Sequence, residues 1–138
     1  MNARTSRRGW RATLTGGFAA LSIVAYDGST RAQDDPGQVL FNNSCRTCHT
    51  VKEGDNRLGP TLAGVVGRKA GSLPDYAFSD SLKKSGVVWD EASLDRFIEN
   101  PEAVAPGNAM KPYTGVSSPE DRAAIIAYLK SQSGGATN

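Results

Sequence analysis

Two long stretches of this chain, 50–78 and 101–117, are rich in Gly and Pro and show neither a helical nor an alternating period. Irregular segments of that length are uncommon in a compact domain unless something orders them. The helical candidates beside them are few. The first covers about 36–48, opened by Asp35-Pro36, a cap residue followed by Pro at the first helical position, with Val39, Leu40 and Phe41 on its apolar side. A short second candidate lies near 79–84. The third runs from Asp90 to Asn100, where Pro101 stops it; Leu94, Phe97 and Ile98 follow the i, i+3, i+4 rule. In the fourth, Ser118 caps, Pro119 takes the first turn and Asp121 stands where a capping-box acid belongs; Ile125, Ile126, Tyr128 and Leu129 form its buried side, and Gly134-Gly135 ends it. No stretch alternates as a strand. The chain therefore reads as all-α, with loops that would wrap around a large apolar group.

The first 32 residues read as a targeting segment. Residues 1–11 are polar and arginine-rich, Ala12 to Ala25 are mostly apolar, and the small residues Thr30 and Ala32 follow. This is the order of a secretory signal peptide, and the apolar run is short for a bilayer span. Cleavage is expected near Ala32, leaving 33–138 as one domain with a thin core, exported to a periplasm or similar oxidising space and not inserted in the membrane; the alternative is that the segment stays on as an uncleaved membrane anchor. The net charge of +2 misleads. Five arginines against Asp27 sit in the leader, so the remainder carries eleven basic and thirteen acidic side chains. A mildly acidic mature chain excludes a nucleic-acid reading.

The loops have a cofactor attachment motif at hand, Cys45-Arg46-Thr47-Cys48-His49. C-x-x-C-H is the c-type haem attachment signature. Two thiols one helical turn apart each add across a haem vinyl group, and the next imidazole then faces the iron from the same side. His49 is the only histidine. A redox dithiol would want a strand–helix thioredoxin context, and a structural zinc site needs a fourth N or S ligand. Neither is available. The motif implies one covalent haem c per chain, with the opposite face of the iron open or filled by a sixth ligand. The mature chain has one methionine, Met110, in the loop Pro106-Gly107-Asn108-Ala109-Met110-Lys111-Pro112. An isolated loop Met is commonly a gap-filling hydrophobe. Beside a haem it becomes the candidate sixth ligand, a soft thioether that favours the ferrous state.

With Cys45–His49, Gly59-Pro60, Gly67-Arg68-Lys69, Trp89 and Met110 in this order, the chain resembles the class I c-type cytochromes, of the mitochondrial type and its bacterial relatives, from about Pro36 to Leu129. The resemblance implies an all-α fold around a mostly buried haem, with His49 and Met110 as axial ligands. It implies that the Pro60 carbonyl holds the His49 ring N–H, that Arg68 and Trp89 lie near a haem propionate, and that Ser79 stands in for a threonine that does likewise. Taken alone, Arg68 reads equally well as a solvated surface charge. Gly37 and Phe41 would cross Ile125 and Tyr128.

Phe78 and Phe97 stand where the family commonly has tyrosines, and Leu82 where it often has asparagine. Tyr76 is expected to replace the missing propionate donor. A lost hydrogen bond to the Met110 sulfur lowers the potential, and a drier pocket raises it. These effects oppose each other. Lys111-Pro112-Tyr113 departs from the usual apolar run and carries one extra residue. Ser44, Ala103 and Ala109 are neutral where many relatives are basic, which implies weak electrostatic steering.

The function expected is a one-electron carrier rather than an enzyme. It would act as a monomer between membrane or periplasmic redox proteins, a reductase on one side and an oxidase or reaction centre on the other. Two rivals remain at this level. One is an electron-entry subunit of a larger oxidoreductase. The other is an open-site sensor or peroxidase, which would want a distal acid–base residue that a chain with a single histidine lacks.

Overall fold

The computed structural model describes residues 35–133. The expected leader at 1–32 and the glycines Gly134-Gly135 lie outside the described residues. Five helices form among the described residues: α1 (Pro36–Ser44), α2 (Asp80–Lys84), α3 (Glu91–Glu99), α4 (Pro101–Val104) and α5 (Pro119–Ser131). No strand forms among these residues; Lys69 and Val88 meet in one antiparallel bridge. The all-α expectation is met.

Each helix start has a chemical cause. The Asp35 carboxylate accepts the Gly37 N–H at 2.9 Å, and Pro36 costs nothing at a position whose N–H has no helical partner. Helix α1 ends at Ser44, short of the expected 48. The Phe41 carbonyl takes both the Cys45 and Arg46 N–H groups, at 2.8 and 3.1 Å, which closes the helix. Cys45–Cys48 then make a separate tight turn, with the Cys45 carbonyl accepting from Cys48 and His49 at 3.1 and 2.9 Å. Helix α3 carries a full capping box: the Asp90 carboxylate accepts from Ser93 N at 2.7 Å, and Ser93 Oγ accepts from Asp90 N at 2.8 Å.

Two further expectations are corrected. Pro101 ends α3 and also begins α4, because Asn100 between them caps the second helix, its side-chain oxygen accepting from Glu102 N at 3.1 Å. At α5, Ser118 Oγ accepts from Asp121 N at 3.1 Å, but the Asp121 carboxylate does not take the Ser118 backbone N–H in return, so only half of the expected box forms; the Ser118 hydroxyl donates to Glu120 at 3.1 Å.

Helices α1 and α5 cross at Gly37. A β-carbon there would lie 2.8 Å from Tyr128 Cβ and closer still to the Ala124 carbonyl oxygen. The same crossing stacks Phe41 on Tyr128 with ring centroids 5.4 Å apart. Ile125, Leu129, Leu94, Ile98 and Trp89 also belong to the buried core. On α5 the buried Arg122 reaches Asp95 of α3 at 2.7 Å and the carbonyls of Val116 and Ser117 at 3.1 and 2.9 Å. This ties the end of the 105–118 loop to the helical frame. No helix among the described residues is long and apolar enough to cross a membrane.

Candidate haem-attachment site

The turn after α1 places Cys45 and Cys48, half-buried free thiols, immediately before the buried His49. Burial, and then the charge of Cys48, push the Cys45 thiol up to about 11.

His49 is fixed from two sides. Its Nδ1 lies 2.8 Å from the Pro60 carbonyl oxygen. A carbonyl only accepts, so Nδ1 carries the proton and Nε2 keeps its lone pair. Burial lowers the histidine pKa, the Pro60 bond opposes that shift, and the ring stays neutral near pH 7. The segment that delivers Pro60 is itself tied to the motif, with Gly59 N donating to the Cys48 carbonyl at 2.8 Å. Two thiols a turn apart and an adjoining neutral imidazole with a free Nε2 are the donor set that a covalently attached haem requires.

The residues expected at the propionates form two groups. The bridge between 67–70 and 87–89 brings Arg68 and Trp89 side by side: Trp89 N donates to the Arg68 carbonyl at 2.9 Å, and Ala70 N to Val87 at 2.8 Å. The half-buried Arg68 guanidinium already donates to the Ala63 and Thr61 carbonyls, both at 2.9 Å, and burial lowers its pKa. Two of its five N–H groups are so engaged, and the rest remain for an anion. Tyr76 donates its single hydroxyl proton to the Leu58 carbonyl at 2.7 Å. As a propionate donor it would have to surrender that bond. Ser79 caps α2 through its oxygen, accepting from Leu82 N at 3.3 Å.

Phe97 lies on Trp89 with centroids 4.9 Å apart, and Phe78 meets Tyr76 edge-on at 4.8 Å. Leu82 and Phe97 both pack on the core. Met110 is half-buried, and its backbone N–H donates to Asn108 Oδ1 at 2.9 Å. Sequence reading missed three contributors: Gly59 under the imidazole, and Glu102 with Asn108 beside the methionine. Gly59-Pro60 was visible as a pair, but the contact that demands the glycine is tertiary.

The fold and site define a haem protein of the covalently attached kind. The Cytochrome c family model matches residues 35–133, and the chain belongs to that family. It is 52% identical over 87 residues to cytochrome c2 iso-2 of Magnetospirillum fulvum, covering 63% of this chain and 90% of that protein. It is 44% identical over 119 residues to cytochrome c2 of Rhodomicrobium vannielii, covering 82% and 91%. Among solved structures, cytochrome cH from Methylobacterium extorquens superposes with a TM-score of 0.64 at 45% identity, over 70% of this chain and 95% of that one. The chain is thus an electron-transfer protein with one covalent haem c, attached at Cys45 and Cys48. It carries electrons rather than transforming a substrate.

Proposed function

We propose that residues 1–32 direct export and are removed near Ala32, and that 33–138 works in the periplasm as a monomeric carrier between a reductase and an oxidase or reaction centre. In this reading His49 Nε2 and the Met110 thioether would be the protein's two ligands to the iron. The haem supplies the one-electron Fe(II)/Fe(III) couple. Everything else is done by the polypeptide. Cys45 and Cys48 prevent loss of the group. The Pro60 carbonyl makes the imidazole a stronger donor. Arg68 and Trp89 offer a cation and an indole donor to the propionates, with Ser79 and Tyr76 beside them.

The observation that carries this reading is the 2.8 Å contact between His49 Nδ1 and Pro60, because it leaves Nε2 no task within the imidazole's own hydrogen bonding. Optical spectra of the oxidised and reduced protein test it. The expected ferric form is low-spin with an iron–methionine charge-transfer band, and Met110→Ala converts it to high-spin. A wild-type ferric protein that is high-spin at neutral pH would overturn the ligand assignment.

A further inference from the structure

We infer that Glu102 and Asn108 are positioning residues for Met110, joined in a brace that fixes the loop backbone leading into the thioether. The inference rests on the reading of Met110 as an axial ligand.

A thioether offers no strong hydrogen bond, and methionine has three rotatable side-chain bonds. Its direction must therefore come from the backbone that carries it. The short helix α4 places Glu102 beside that backbone. One carboxylate oxygen, Oε1, accepts from Gly107 N at 2.6 Å. The other, Oε2, accepts from Asn108 Nδ2 at 3.0 Å and from Lys111 Nζ at 2.6 Å. One carboxylate thus gathers residues from before and after Met110.

Asn108 passes the constraint on. It is only 5% exposed, and all its polar capacity is directed. Its amide nitrogen donates to Glu102 and to the Ala105 carbonyl at 3.1 Å, while Oδ1 accepts from Met110 N at 2.9 Å. Only this orientation of the amide works. The flipped group would set its oxygen against a carboxylate and a carbonyl, and its N–H groups against the Met110 N–H. Haem attachment itself uses neither residue. The bonds are charge-assisted on the Glu102 side, which makes them stronger than neutral ones.

The experiment compares the ferric holoprotein with Glu102→Gln, Lys111→Gln and Glu91→Gln. Glu91 is another exposed carboxylate bonded to a lysine, Lys130, and serves as a control for lost surface charge. The readouts are the rate at which imidazole displaces the thioether and the thermal midpoint by circular dichroism. Glutamine at 102 cannot accept through both side-chain termini, so displacement should speed up by about five- to tenfold. Lys111→Gln keeps both loop bonds and should change the rate by less than about twofold. The midpoint of Glu102→Gln should move no more than that of Glu91→Gln. The inference falls if Glu102→Gln reacts at the wild-type rate, if Lys111→Gln matches it, or if the rates merely follow global stability. A wild-type protein without the iron–methionine band overturns the ligand reading and this inference together. An unchanged Glu102→Gln rate in a protein that shows the band overturns the inference alone.

Discussion

Gly59 lies against the face of the His49 imidazole. A β-carbon on residue 59 would come within 2.6 Å of Nδ1 and 2.8 Å of Nε2, and nearer still to Cε1. No side chain fits there while the ring keeps its bond to Pro60. Gly59→Ala should therefore displace the imidazole and cost about 1–3 kcal/mol of holoprotein stability. Denaturant unfolding and the ferric spectrum check this together. Unchanged stability with an unchanged spectrum would contradict it.

Gly37 makes a parallel demand far from the chemistry. Its approach to Ala124 and Tyr128 is what lets α1 and α5 cross. Gly37→Ala should also cost about 1–3 kcal/mol in equilibrium unfolding. Here the haem spectrum should stay as in the wild type, which separates a fold contact from a site contact.

Tyr113 gives an alkaline signature. Its hydroxyl donates to the Ile98 carbonyl at 2.7 Å, and burial first, then the nearby Cys45 sulfur if ionised, pushes it up to about 12 from 10.0. In the haem-attached protein the sulfur carries no charge, and burial remains as the cause. A raised pKa means that the neutral phenol stabilises the fold below pH 10, and that this support fades as pH climbs toward the folded value. Tyr113→Phe should be less stable by about 1 kcal/mol below pH 10. The two curves should converge as pH rises above 10. A gap that stays constant across this range would contradict the assignment.

The helices were legible wherever a cap and an apolar period coincided, as at Asp35-Pro36, Asp90 and Ser118-Pro119. Helix α4 escaped because Pro101 satisfies two rules at once, ending one helix and opening the next, and four residues are too few to show a period. The break at Ser44 was hidden because it depends on two N–H groups converging on one carbonyl, a geometry no residue type announces. The attachment motif is contiguous, so it was plain in the sequence. Gly59 and the pair Glu102 and Asn108 act through residues that meet only after folding. Tyr76 is a different case: a phenol suits a propionate by its chemistry, but only the fold shows that its proton is also within reach of the Leu58 carbonyl.

Ser44, Ala103 and Ala109 are exposed and neutral, and Lys111 is held by Glu102 at 2.6 Å. Hydrogen bonding to Lys111 and then to Gly107 keeps the Glu102 carboxyl below its usual range, so the pair stays charged and self-compensating at neutral pH. Electron-transfer rates with a charged redox partner should vary by less than about threefold between roughly 10 and 200 mM salt. Stopped-flow kinetics across that range would show a steep fall if the surface does steer its partners.

Covalent attachment of iron porphyrin through both sulfurs is the claim beneath all of this. The direct measurement is the intact mass of protein from a host that matures c-type cytochromes, taken before and after extraction with acidified organic solvent. The pigment and the mass of one haem should stay with the polypeptide, and Cys45→Ala with Cys48→Ala should abolish both. Pigment that passes into the solvent, leaving the bare chain mass, would contradict the account.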